Sequence, residues 1–190
     1  TTAAGGGAYF NNAAILKGVT FTANQATSGR GGGGYFRVVA ALSDSSFISN
    51  TAISNRGGGA YFQAGATLTN SNFLSNTGVA LGGGLYAGGA LEVGGGLFRA
   101  NRCTGIPGTS GIGGGIYVSD TLAVGGVQFV NNSATTAGGA VYAQGSTALS
   151  TTTFLGNQAI YGGGWTQEGG ATSQVVNSLF AGNSAALGQG

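Results

Sequence analysis

The chain of 190 residues contains no histidine, no methionine, one cysteine, one proline and one tryptophan. Without histidine, a Ser-His-Asp triad, an imidazole general base and the usual zinc sites are excluded. Cys103 stands alone, so it closes no disulfide within the chain and is expected to be a small buried residue. Charge is equally scarce. Lys17, Arg30, Arg37, Arg56, Arg99 and Arg102 face only Asp44, Glu92, Asp120 and Glu168, for a net +2. These charges are scattered, and no basic stripe interleaved with aromatics exists to follow a phosphate backbone, so no nucleic-acid partner is expected. No apolar run approaches the roughly 20 residues that cross a bilayer, and no membrane span is expected. Neither an initiator methionine nor a signal peptide opens the chain, which is expected to start as a mature or trimmed product.

Glycine is what abounds, with 42 residues. Such a content suggests low complexity or disorder. Two features exclude that: 42% of the residues are hydrophobic, and the glycines recur at fixed places.

A glycine-rich tripeptide followed by a hydrophobic residue and tyrosine returns along the chain. The tyrosines are Tyr9, Tyr35, Tyr61, Tyr86, Tyr117 and Tyr142, with Thr166 in the seventh place. Phenylalanine follows each tyrosine by 12 residues, at Phe21, Phe47, Phe73, Phe98, Phe129 and Phe154; Phe180 follows Thr166 by 14, a two-residue insertion. Three residues beyond each phenylalanine stands an asparagine: Asn24, Asn50, Asn76, Asn101, Asn132, Asn157 and Asn183. The asparagine steps are 26, 26, 25, 31, 25 and 26 residues, and an insertion at about 102–112, holding Pro107, accounts for the long one.

A unit of this length without a 3.6-residue period, with three or more glycines per coil, is not helical. Its Val, Thr, Tyr and Phe suit strands. The expected fold is therefore all-β, a right-handed parallel β-helix of about seven coils forming a single domain over residues 1–190. Equivalent residues stack about 4.8 Å apart, so the rod measures about 34 Å.

Side-chain volume assigns the faces. The neighbours of each tyrosine pair small with large, as in Gly34 with Phe36 and Ala60 with Phe62, or medium with medium, as in Ile116 with Val118. Conserved volume is what a shared interior demands, so both neighbours point inward. Alternation then turns the tyrosines outward, and they are expected to form an exposed aromatic ladder suited to glycans or to cell-surface proteins. A second inward row runs through Leu16, Leu42, Leu68, Val93, Val124, Leu149 and Val175, and the phenylalanines make a third. Asparagine tolerates left-handed backbone and bonds to its own kind from coil to coil, so the seven asparagines are expected at a corner as a structural ladder.

Gly138-Gly139-Ala140-Val141 followed by Phe154-Leu155-Gly156-Asn157 resembles the paired GGA[ILV] and FxxN repeats of bacterial polymorphic outer-membrane proteins. The resemblance extends over all seven coils, with looser glycine motifs such as Gly82-Gly83-Gly84-Leu85. It implies an autotransporter-type adhesin with a β-helical passenger, hence an extracellular or cell-surface location and an adhesive or structural role.

The alternative is a polysaccharide-binding or polysaccharide-cleaving β-helix of the pectate-lyase kind. Such cleavage needs paired carboxylates, or a carboxylate cluster holding calcium beside a base. Here Asp44, Glu92, Asp120 and Glu168 occupy different places in their coils. No enzyme activity, metal or cofactor is expected. Threonine rows of an ice-binding face are missing too, since Thr151, Thr152 and Thr153 cluster in one coil. Arg30 and Arg56 fall at equivalent places in adjacent coils, either as a solvated pair on the rim or as a pair bridged by an anion. Finally, both ends of the chain are in phase with the repeat and carry no polar cap, so copies are expected to associate end to end as a fibre or as a longer solenoid.

Overall fold

The computed structural model describes residues 5–106 and 111–186. Strands of two to four residues make up its regular structure, without a helix among the described residues. They assemble into four parallel seven-stranded sheets in which strand order follows coil order. Each coil thus gives one strand to each sheet, and the chain is a β-solenoid of seven coils. In the third coil the strands are Ala60–Phe62, Ala66–Thr69, Asn72–Leu74 and Thr77–Gly78. After their inward or central residues, the four sheets are here the tyrosine, leucine, phenylalanine and short sheets.

Register is that of the sequence repeat. Tyr35 pairs with Tyr61, Leu42 with Leu68, and Phe47 with Phe73. The interior is built from both neighbours of each tyrosine, the Leu/Val row and the phenylalanines. Phe36, Phe62, Leu68, Phe73, Leu85, Ile116 and Phe129 are fully buried in one cluster. Volume compensation is literal: a Cβ on Gly34 would lie 3.0 Å from the Phe36 ring. Phenylalanine rings stack from coil to coil with centroids 4.5–5.1 Å apart.

The glycine triplet answers two separate constraints. At its first position the backbone is left-handed, with φ +68° at Gly57, a conformation that glycine adopts without penalty. At the second, a Cβ on Gly58 would overlap the carbonyl oxygen of Gly83 in the next coil. The third is looser, and Ala140 occupies it in the sixth coil.

The extra residues of the long step lie between Cys103 and Ile112. Arg102 and Cys103 pair in frame with Thr77 and Gly78, and Ile112 bridges Leu81. The insertion is thus narrower than 102–112; Pro107 lies outside the described residues. Cys103 is fully buried beside Ala134 and Ala159, and burial pushes its thiol up to about 12. In the seventh coil the ladders keep register but lose cover: Val175 is 43% and Phe180 45% exposed, against 1% for Leu149 and 0% for Phe154.

Candidate functional site

Two polar or aromatic ladders carry the side chains that the repeat singles out. The asparagine ladder lies at the corner between the phenylalanine and short sheets. Asn50, Asn76, Asn101, Asn132 and Asn157 are fully buried. Asn76 shows the pattern. Its Nδ2 donates to Asn101 Oδ1 at 3.0 Å and to the Phe47 carbonyl at 2.8 Å. Its Oδ1 accepts from the backbone N–H and from Nδ2 of Asn50, each at 3.0 Å. All four amide valences of Asn76 are used internally, and such an inner rung has no free group for a ligand. The left-handed residue at this corner is the one before the asparagine, such as Ser75 with φ 55°. Asparagine is there for its amide, which closes the hydrogen bonds of the bend.

The tyrosine ladder stacks as the repeat predicts but is not an exposed stripe. Ring centroids of Tyr9, Tyr35, Tyr61, Tyr86, Tyr117 and Tyr142 follow one another at 4.7–5.5 Å. The rings do turn away from the main core, and they form a cluster of their own. Yet Tyr35, Tyr61, Tyr86 and Tyr117 are 4–7% exposed; Tyr142 is half-buried and Tyr9, at 48%, is the open one.

What covers them is the segment just before each glycine triplet. The left-handed first glycine folds this segment back over the outer face of the tyrosine sheet, where Arg56, Leu81, Ile112, Ala137 and Tyr161 offer successive carbonyls to the backbone of the coil before. Leu81 and Ile112 pack on the rings. Arg30 Cζ lies 5.1 Å from the Tyr61 centroid and Arg56 Cζ 5.2 Å from that of Tyr86. Each arginine Nη1 donates to the hydroxyl of the tyrosine it covers, at 3.1 Å and 3.3 Å. The two arginines are therefore half-buried lids, not a freely solvated pair on a rim. Strand alternation tells that a side chain leaves the core, but not whether another segment lies above it. A signal was present: Arg30, Arg56, Leu81, Ile112 and Tyr161 put a long side chain at one recurring place.

Burial sets the electrostatics of this face. It pushes the Tyr117 hydroxyl up to about 12 and raises Tyr61, where Arg30 pulls the other way. Tyr142 is raised by burial and then by the Glu168 carboxylate. The carboxylates stay apart. Asp44 is exposed at a left-handed corner, Glu92 is exposed on the outer side of the leucine sheet, Asp120 accepts from the Thr121 N–H, and Glu168 accepts from Gln144. No group of three or more His, Cys, Asp or Glu side chains converges among the described residues. A shallow groove of about 700 Å³ runs along the leucine sheet past Ala66, Thr67, Glu92, Ala123 and Ala148, lined mainly by small neutral residues.

No curated protein and no solved structure matches the chain. Residues 126–144 do match a family model, and they run from the strand of Phe129 through Asn132 and the turn at Gly138 to Gln144. That stretch spans one asparagine rung, one glycine turn and one tyrosine rung. Over it the chain is similar to the Chlamydia polymorphic membrane protein repeat.

Proposed function

We propose that the chain is a non-enzymatic structural and adhesive segment of a cell surface, a stiff rod that holds contact faces away from its base. The observation that carries this reading is the match at residues 126–144. The matched positions recur in register through all seven coils, so the repeat's architecture extends along the rod. A family name alone assigns no activity, but the distribution of groups agrees with it. The asparagines are consumed by one another, and the carboxylates are scattered. The decisive experiment coats beads with the chain and measures their retention on host-cell monolayers. Retention above that of beads carrying an unrelated β-solenoid is expected; equal retention overturns adhesion. In parallel, incubation with acidic and neutral polysaccharides, with and without calcium, is expected to release no new chain ends. Release that disappears in Glu92→Gln or Asp120→Asn would make the protein an enzyme.

A specific observation also favours a further coil beyond the seventh, from a longer solenoid or from a second copy, and the second copy is the case that sedimentation tests. The seventh coil leaves Val175, Phe180 and a cavity of about 330 Å³ beside Trp165 and Asn183 open. Among the described residues the buried Trp165 Nε1 has no partner, and Asn183 Nδ2 reaches the Phe154 carbonyl but no further asparagine. At the other end Asn24 donates to Asn50, while its own Oδ1 receives no bond from the described residues. Donors on the last described coil and an acceptor on the first fit a further coil in the same register, supplied either by a longer solenoid or by a second copy stacked head to tail. Sedimentation and negative-stain microscopy at micromolar concentration are expected to show rods longer than one copy, shortened by Phe180→Asp. A strictly monomeric rod overturns the stacking.

A further inference from the structure

We propose that Arg30 and Arg56 form a binding site for a tetrahedral oxyanion, a sulfate or phosphate group, on the covered tyrosine face. The two residues occupy equivalent places on adjacent coils, tied by the Gly31 N–H to the Arg56 carbonyl at 3.0 Å. Their rings, Tyr61 and Tyr86, are parallel within 2° with centroids 4.7 Å apart. An equal offset from two such rings puts the guanidinium groups roughly 5 Å from each other, one strand spacing. Like charges on neighbouring strands repel, and neither meets a carboxylate, because all four lie elsewhere on the rod.

The cover over the ladder does not require charge. Leu81 and Ile112 do the same work for the next coils, so two adjacent arginines carry a like-charge penalty that a leucine pair avoids. The polar groups turned into this patch are donors. Each guanidinium spends one N–H on a tyrosine hydroxyl and retains others in its planar fork. Tyr61 and Tyr86 accept those bonds, and neither hydroxyl finds an acceptor among the described residues; Tyr35 by contrast donates to Gln63. The ring beneath and the bond to its hydroxyl hold each guanidinium in place before a ligand arrives, which lowers the ordering cost of binding. A half-buried cluster of fixed cationic donors matches the oxygens of a sulfate or phosphate group. This assignment rests on the geometry of the tyrosine face alone and stands or falls separately from the adhesive reading.

Isothermal titration of the 190-residue chain with sodium sulfate and with sodium phosphate, at constant ionic strength against chloride, tests it. One saturable site per chain is expected. Arg30→Leu should weaken binding about tenfold or more, the size of a lost charged hydrogen bond, and Arg30→Leu with Arg56→Leu should abolish it. Leucine already occupies this place at Leu81, and circular dichroism checks that the variants stay folded. Arg37→Gln, exposed and outside the patch, should change nothing. Sulfate should raise the Tm of the wild type and leave that of the double variant where it was. An equal rise in both is a general salt effect and overturns the site, as does equal weakening by Arg37→Gln or no binding above chloride. A second arm identifies the source of the group. A sulfated oligosaccharide against its desulfated form, and vesicles containing phosphatidylinositol phosphate, separate a glycan sulfate from a lipid headgroup, and either one binding through the arginines supports the proposal.

Discussion

The asparagine corner and the tyrosine face are built by the same device, one residue type repeated in register, yet they end in opposite states. At the corner each inner amide, as at Asn76, finds a partner of its own kind in the coil above and below, and these rungs are complete without anything else. On the tyrosine face the rings stack, but the phenolic edge depends on whichever residue precedes the glycine triplet of the coil before, as Arg30 does for Tyr61 and Arg56 for Tyr86. That lid is arginine in two coils, leucine or isoleucine in two more, then alanine and tyrosine. Where the partner is the residue itself, nothing can vary without breaking the bend. Where the partner is a separate position, the lid can change chemistry from coil to coil, and binding properties can be added without touching the core.

The difference is broken most severely at the corner. Asn76→Ala removes four buried hydrogen bonds, leaves the Asn50 N–H and one N–H of the Asn50 amide unpaired, and takes a donor from the Phe47 carbonyl. At about 1–3 kcal/mol for each buried orphan, we expect a loss of about 4 kcal/mol or more in denaturant unfolding. Asn183→Ala, on the half-buried last rung, should cost less than half as much, because water reaches the freed groups. Equal losses at the two sites would mean that the ladder acts through local turn preference and not through buried pairing.

A smaller contrast separates the covered rings from the open one. Tyr86→Ala deletes a ring held between Tyr61 and Tyr117 beneath Arg56, for an expected loss of about 3 kcal/mol, the lower end for buried aromatic truncations. Tyr9→Ala removes a ring that is 48% exposed and should cost under about 1 kcal/mol. Comparable losses would show that stacking, not the lid, dominates this face.

The same contrast explains what was legible in the sequence. Glycine, phenylalanine and asparagine spacings report backbone constraints and burial, and both act within one rung: Gly58 has no room for a Cβ, Phe73 has no exposure, and Asn76 has no spare valence. Coil number, sheet register and the inward rows therefore followed from spacing alone. The burial of Tyr61 did not, because it depends on Arg30 of the preceding coil folding back across the sheet. Alternation describes the two sides of a strand and carries no information about a segment laid over one of them. The left-handed position was misplaced for a related reason. Asparagine's tolerance of that conformation pointed to Asn76, while the residue that adopts it is Ser75.

Alkaline titration sharpens the lid further. Burial holds the Tyr117 hydroxyl near 12 against an ordinary 10.0, and the Cys103 thiol near 12 against 9.0. Both groups bind their proton more tightly in the folded chain. The stability they contribute is thus complete below about pH 9 and is lost as pH rises toward 12, because the unfolded chain deprotonates first. Stability should fall between pH 9 and pH 12, with a shallower slope in Tyr117→Phe. Cys103→Ala should flatten the lower part, as Ala134 already fills that place in the next coil. An unchanged slope in both variants would place the alkaline loss elsewhere on the rod.

The mildest test strengthens the corner instead of breaking it. The position before each ladder asparagine is left-handed in every coil, filled by Ala23, Ser49, Ser75, Ala100, Asn131, Gly156 and Gly182 at φ values of 53–65°. An L-residue with a Cβ pays about 1–2 kcal/mol for that backbone, and glycine avoids it. Glycine also gives the unfolded chain more freedom, which offsets part of the gain. Ser75 is exposed, and its side chain makes none of the ladder's bonds, so Ser75→Gly removes strain without removing a contact. A net gain of about 0.5–1 kcal/mol is expected, read as a higher denaturant midpoint at unchanged m-value. The same substitution at Asn76, one residue on, should be strongly destabilising. If Ser75→Gly destabilises the chain, the bend is held by Ser75 itself and the asparagine amide is not its principal support.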